Sequence, residues 1–373
     1  MKSVFQGGLS KYTDEQVQFI ANTKEVVVST DGPVNIQRLR KYNPNIEVLY
    51  YFNIKGVHTS DTLWQDVVAK NLLWKDANDQ IVESRPWHWY VINIRSLDWA
   101  NIVKEFLSEK MTYYDGLMID ETCLLWEADL TGLPLGYTKI EYYAALNSIL
   151  EKIRVSFPNK KIVINGYQRW AGEAFSGIHL LQHVDGISFE GFSYRLNGGY
   201  IGAEALKTSL QCFSTAIGSN GKQAVFLDLG EKGNYQKRLF SLANYLLVAN
   251  DNSYYYFIAV DMTSKLQNWP EYRLNIGSPN SNYSETQEGL LKRSYSSGTQ
   301  VFSNPSGAVV HLDLGNKPME KLLLNGGGEW NEPGSMSWQP VSNLVEVPPA
   351  SGLIVRFANR LSSPQGLKLV DKK

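Results

Sequence analysis

Two short stretches of this sequence share a pattern that chemistry can use. YDGLMIDE, residues 114 to 121, and DGISFEG, residues 185 to 191, both read Asp-Gly-x-x-x-acid, an apolar run ending in a carboxylate. Alternate side chains of a strand share a face, so Gly116, Met118 and Asp120 point one way and Leu117 and Ile119 the other. The same alternation groups Gly186, Ser188 and Glu190 and leaves Ile187 and Phe189 to pack against helices. Two carboxylates delivered to one place suit glycoside hydrolysis, in which one protonates the leaving oxygen while the other attacks or stabilises the oxocarbenium-like centre. Phe189 and the aromatic GFSY that follows can desolvate Glu190 and raise its pKa, which suits an acid/base. Asp120, shorter and beside the polar Glu121 and Thr122, is expected to stay ionised as nucleophile. The plainer reading of either acid is a cap on the helix after its strand.

Such a pairing needs a frame. Eight β-branched or aromatic runs alternate with helix-length segments: residues 25–30, 47–53, 89–95, 114–121, 161–167, 185–191, 223–229 and 254–261. Between them, LDWANIVKEFLSEKM and TKIEYYAALNSILEKIRVSF repeat apolar residues every three or four positions, as helices packed on a sheet do. Eight such units predict an α/β fold, a (β/α)8 TIM barrel, whose active sites lie at the carboxyl ends of the strands. Asp120 and Glu190 then emerge on that face from the fourth and sixth runs. An open doubly wound sheet would bring a Gly-rich phosphate turn early, and the turn after Thr30 reads DGPVNIQ instead. Past Asp261 the texture changes to period-two alternation broken by Gly, Pro and Asn, as in TQVFSNPSGAVVHLDL and NLVEVPPASGLIVRF. The expected domains are a catalytic barrel over 1–289 and a small C-terminal all-β, sandwich-like domain over 290–373.

Composition narrows the partners. With 36 basic against 37 acidic side chains in 373 residues, there is no net field to attract nucleic acid or an anionic membrane. No uncharged run approaches the roughly 20 residues that span a bilayer, and the amino terminus lacks the apolar stretch of a signal peptide. The expectation is a monomer acting on a polysaccharide or oligosaccharide, secreted if an export signal was removed and otherwise cytoplasmic. Two cysteines, Cys123 and Cys212, exclude a disulfide framework.

Sugar rings pack on flat aromatic faces, and Trp and Tyr add a polar edge. Tyr51, Trp74, Trp126, Tyr167, Trp170, Phe192 and Tyr194 lie at or just after predicted strand ends, although core packing is the ordinary fate of any one of them. Polar groups expected in the same layer are Asp31, Asn53, Asn93, Glu121, Asn165, Arg169, Asp228 and Asp261. Asp228, at the end of QAVFLDLG, stands where some barrel glycosidases place a catalytic residue; a hydroxyl ligand or helix cap is the plainer reading. His179 and His183 in HLLQH have chelating spacing but lack the intervening Glu of a metalloprotease, and a helix terminus explains them. Cys123 has no His near it in sequence and apolar neighbours, so thiol catalysis is not expected. No GxSxG, phosphate loop or dinucleotide fingerprint occurs, and no cofactor or metal is expected.

The motifs YDGLMIDET, DGISFEGFS, WPEYRLNIGSP and VFSNPSG, spread over nearly the whole chain, resemble a family of hypothetical glycosidase-like TIM barrels with a small C-terminal β domain. The resemblance implies polysaccharide hydrolysis. Its strand-four Asp with strand-six Glu is similar to dextranases and endo-acting polygalactosaminidases, both retaining. The expected function is therefore an endo-acting, retaining glycosidase using Asp120 and Glu190. The rivals are a non-catalytic carbohydrate-binding barrel and a barrel enzyme with a divalent metal at Asp120, Glu121 and Asp228.

Overall fold

The computed structural model describes residues 1–166, 177–194, 199–214 and 221–358. Its chain divides into two compact units, Met1–Gly230 with Ala249–Gln267, and Glu231–Val248 with Asn268–Lys373. The first is a TIM barrel. Its strands are β1 (Val4–Gln6), β2 (Val26–Ser29), β3 (Glu47–Asn53), β4 (Gly116–Asp120), β5 (Lys161–Asn165), β6 (Gly186–Glu190), β7 (Gln223–Gly230) and β8 (Ser253–Ala259). Each pairs in parallel with the next. Closure is a single parallel bridge between Ser3 and Tyr255, where the Tyr255 N–H donates to the Lys2 carbonyl at 3.0 Å. The interior is filled by Val4, Val26, Val28, Leu49, Met118, Val163, Val225 and Tyr254, with Tyr51 and Tyr256 packed on them. Met118 thus faces inward, and period two carries Asp120 to the same side.

The repeated Asp-Gly has its own job at the other end of these strands. Asp115 Oδ2 accepts the Val48 N–H at 2.8 Å, and Asp185 Oδ2 accepts the Ile162 N–H at 2.8 Å, so each aspartate pins its strand to the preceding one. The glycines let the following strand close in. A Cβ on Gly116 would meet the Lys161 carbonyl oxygen at 2.1 Å, and one on Gly186 the Gln223 carbonyl oxygen at 2.7 Å.

Around the barrel run α1 (Asp14–Thr23), α2 (Pro33–Arg40), α3 (Trp64–Ala69), α4 (Leu97–Lys110), α5 (Lys139–Ser156) and α6 (Ala203–Cys212). Local chemistry sets their starts. Thr13 and Gln16 form a reciprocal capping box on α1, and Ser96 and Thr138 accept the N–H groups of Asp98 and Glu141 on α4 and α5. Two strands differ from the sequence reading. The run 89–95 is not a barrel strand: only Tyr90–Val91 is extended, antiparallel to Gly56–Val57, and its backbone is spent on Val82 and Trp74. The barrel's first strand is instead Val4–Gln6, three residues long and too short to show a period. One strand too many and one missed cancel, so 116–120 and 186–190 remain fourth and sixth.

The second unit holds α7 (Tyr235–Val248) and the antiparallel strands β9 (Leu291–Ser294), β10 (Gln300–Asn304), β11 (Val310–Asp313), β12 (Met319–Asn325), β13 (Ser335–Val341), β14 (Leu344–Val347) and β15 (Ser351–Phe357). The pair β11 and β14 forms a separate two-stranded sheet; the others join one larger sheet. Its core is Leu290, Phe302, Leu312, Met319, Val345, Val347, Leu353 and Val355. Asn304 of the VFSNPSG motif is buried and fully used: its amide donates to Ala308, Val347 and Pro348 carbonyls, and its oxygen accepts from Ser306.

One ion pair in this unit is wholly buried. Arg238 on α7 donates through Nε to Glu271 at 3.0 Å and through Nη2 at 2.7 Å, gives Nη1 to the Gly326 carbonyl, and lies 4.4 Å from the Trp269 ring centroid. Every polar edge of the guanidinium is directed at protein, so the pair is costly to break and cheap to keep. Replacing Glu271→Ala leaves a buried cation alone and is expected to cost about 3–5 kcal/mol in denaturant unfolding. Replacing Arg238 and Glu271 together by apolar residues of similar volume is expected to restore most of that loss.

Candidate active site

The carboxyl ends of β3, β4, β5 and β6 bring four polar side chains together. Asp120 Oδ1 accepts the Asn165 amide at 2.9 Å and the Glu121 backbone N–H at 2.7 Å, and Oδ2 accepts the Tyr51 hydroxyl. The same Asn165 nitrogen donates to Glu190 Oε2 at 2.7 Å. Because both carboxylates hang on one nitrogen, these two oxygens are no farther apart than the two bonds laid end to end, about 5.6 Å. Registry explains the meeting: Asn165 sits beside Ser188 on β6, and Asp120 beside Asn53 on β3.

Burial, then the neighbouring Glu121, holds Asp120 above the ordinary carboxylate range, while Tyr51, the Glu121 N–H and Asn165 pull it back. Glu190 is pushed up to about 7, first by lost hydration; one donor from Asn165 opposes the shift, and Asp120 and Glu121 add to it. Its side chain is nevertheless exposed. The two facts are compatible when protein crowds a group that still touches solvent, and that contact moderates the shift. Tyr51 is held well above the usual phenol range by burial and Asp120, so it remains a donor. Behind the pair, Glu121 has a left-handed backbone with φ 60° and an ion pair to Lys55, which is 1% exposed.

A sequence model described as hypothetical glycosyl hydrolase family 15 matches residues 40–299, the span that carries all four residues. The chain belongs to that family. Among solved structures this family member is similar to the noncanonic maltogenic α-amylase AmyB from Thermotoga neapolitana, at 9% identity over 95% of this chain and 98% of that one, with a TM-score of 0.54. An α-amylase from Lactobacillus plantarum aligns at 9% identity over 96% and 99%, with a TM-score of 0.51. The glycoside hydrolase domain of PelA from Pseudomonas aeruginosa aligns at 13% identity over 69% and 94%, with a TM-score of 0.47. At these identities the likeness to the amylases is one of fold. No curated protein sequence matches the chain.

Elsewhere in this glycosyl hydrolase family member, the acids at strand ends have distinct partners. Asp228 on β7 is fully buried, and its Oδ1 accepts the Ser193 and Tyr194 N–H groups at 3.1 and 2.9 Å, anchoring the turn after β6. Asp31 accepts from Leu9 and Ser10 backbone, Ser29 and Asn35, tying the first βα turn to the second. Asn53 folds its own turn by accepting the Lys55 and Gly56 N–H groups, and Asn93 accepts from Arg95. Asp261 is exposed in a 3-10 turn after β8. His183 bonds Asn147, and its neighbour His179 lies in the 3-10 segment Gly177–Gln182. Among the described residues no group of three or more His, Cys, Asp or Glu is arranged to hold a metal.

The aromatics separate by burial. Trp74, Phe192 and Tyr194 are buried: Trp74 donates to the Leu135 carbonyl, Phe192 stacks on Phe226 at 3.9 Å, and Tyr194 lies by Tyr200. Phe189 packs with Phe192 and Phe213 on the face away from Glu190. Trp126, just past β4, is 48% exposed. Tyr167, Arg169 and Trp170 lie outside the described residues. Lys55 is the site residue that sequence reasoning missed; an Asn-x-Lys-Gly turn right after a strand was its only signal. If Asn165 stabilises both charges, Asn165→Ala raises the titration midpoints of Asp120 and Glu190 together, because each charged form loses a donor. Carbon-detected NMR of the two carboxyls reads this; midpoints that stay put would contradict the shared bond.

Proposed function

We propose that the protein hydrolyses an O-glycosidic bond of a polysaccharide with retention, with Asp120 as nucleophile and Glu190 as acid/base. The observation that carries the reading is the Asn165 nitrogen shared between the two carboxylates, which limits their nearest oxygens to about 5.6 Å. Retaining glycosidases hold their carboxyls about 5–5.5 Å apart, whereas inverting ones need roughly 6.5–9.5 Å to admit a water. Hydrogen bonding divides the roles. Asp120 accepts three donors, two of them N–H groups that cannot reverse, so the charged form is the better satisfied there. Glu190 accepts the Asn165 amide and has the raised affinity for a proton that an acid needs near neutrality.

In this scheme Glu190 gives its proton to the glycosidic oxygen as Asp120 attacks the anomeric carbon and the leaving sugar departs. Glu190, now a carboxylate, takes a proton from water, which attacks the same carbon and releases Asp120. Two inversions give net retention. Exposed Glu190 suits a chain lying across the barrel mouth, hence internal cleavage, and exposed Trp126 suits a sugar face nearby. Both carboxylates come from one chain, so a monomer suffices.

Glu190 must be protonated, so kcat/KM is expected to fall as pH rises through about 7, and to fall again at low pH where Asp120 takes up a proton. Glu190→Gln is expected to lower kcat by ~10²–10⁴ and to abolish the alkaline limb while sugar affinity persists. The first-formed product, followed by proton NMR, should keep the anomeric configuration of the substrate; inversion would sink the double displacement. Sugar binding without turnover across a polysaccharide panel would instead mark a binding barrel.

A further inference from the structure

The buried lysine behind Asp120 has no part in the chemistry just described. Lys55 Nζ ion-pairs with Glu121 and lies 3.3 Å from both Cys123 Sγ and the Leu124 carbonyl oxygen. Its position is built. Asn53 accepts the Lys55 and Gly56 N–H groups at 3.1 and 3.0 Å, and a Cβ on Gly56 would sit 2.3 Å from the Trp89 ring. The turn is thereby closed against Trp89 and sends the lysine stem inward, where burial leaves 1% of the residue exposed. Glu121, its partner, holds the left-handed φ of 60°, a conformation that strains a non-glycine residue and persists only when neighbours enforce it. That conformation aims the Glu121 N–H at Asp120 Oδ1, 2.7 Å away.

We propose that Lys55 and Glu121 form an ion-paired clamp that positions Asp120: the lysine holds Glu121 in its strained backbone and offsets part of its charge beside the nucleophile. The inference rests on the proposed role of Asp120. Both are positioning residues. Without Lys55, Glu121 is an unbalanced negative charge one residue from Asp120 and pushes the Asp120 carboxyl further up. Without the charge of Glu121, Lys55 is an uncancelled cation that favours ionised Asp120. Other titratable groups face the cluster. Tyr51 from β3, Asn165 from β5 and Glu190 from β6 meet Asp120 directly or through Asn165. Cys123, Tyr137 and, from α5, Tyr142 face Lys55, and burial holds all three above their ordinary ranges, the thiol pushed up to about 12.

The test is a set of three variants of the full chain, Glu121→Gln, Lys55→Met and the pair combined. The readouts are carbon-detected NMR titration of the Asp120 carboxyl and the acidic limb of kcat/KM. Glu121→Gln should lower the Asp120 midpoint by about one pH unit, Lys55→Met should raise it by about as much, and the double variant should return it close to wild type. General loosening of the site cannot produce shifts of opposite sign that cancel. Midpoints that move the same way, or not at all, overturn the clamp. Should Lys55→Met fail to fold, Glu121→Gln decides alone, since an unmoved or raised midpoint is fatal. The titration needs no turnover: the expected shifts in a protein without hydrolase activity would sink the catalytic reading and keep the clamp, and unmoved midpoints in an active enzyme would do the reverse.

Discussion

Two carboxylates within about 5.6 Å of each other repel, and the architecture of the barrel mouth follows from how that repulsion is met. At an effective dielectric near 20 two unit charges at that distance cost about 3 kcal/mol, close to two pKa units, and less where water reaches Glu190. A neutral donor shared between them is the least disruptive remedy, because an arginine or lysine in the same place would ionise both. Asn165 leaves the pair able to hold one proton between them. Burial raises both carboxyls, and the donors around each, three at Asp120 and one identified at Glu190, favour the proton on Glu190.

A parallel barrel is well suited to this because it turns sequence parity into position. Met118 fills the interior and Asp120 stands two residues above it; Val163 and Asn165 repeat the relation on the next strand. The apolar layer below gives these polar groups a fixed floor, and the strand registers decide who is neighbour to whom. The Asp-Gly pairs at the opposite ends of β4 and β6 serve the same purpose by fixing those registers: a one-residue slip would turn Asp120 toward the helices. The resemblance between the two motifs therefore has two sources. Their first halves are alike because strands must dock, and their last residues bring two acids to one shared donor.

That parity is why the barrel and the acid pair were legible in the sequence, even though the strand inventory was not. Val4–Gln6 offers three residues and no period, whereas 89–95 has a strand's composition and spends it on a small antiparallel ladder. Composition reports that a segment favours extended backbone and says nothing about which partner takes it. The aromatic candidates failed to separate for a similar reason. Trp74 and Tyr194 differ from Trp126 only in burial, which depends on loops packing over them. Lys55 was harder still, because a lysine beyond a strand end ordinarily reaches solvent, and only the closed Asn53 turn sends this one inside.

The acids at the strand ends show how far identity is from role. Asp31, Asp228 and Asp120 all follow apolar runs in the sequence. Asp31 and Asp228 accept backbone N–H groups from neighbouring turns, so much of their acceptor capacity is spent holding loops in place. Asp120 accepts mainly from side chains of adjacent strands, and one of those donors is shared with a second acid whose own side chain meets solvent. A carboxylate that anchors backbone cannot leave its partners without unfolding a turn. One held by side chains can exchange a hydrogen bond for a bond to carbon and recover it afterwards, as the double displacement proposed for Asp120 requires.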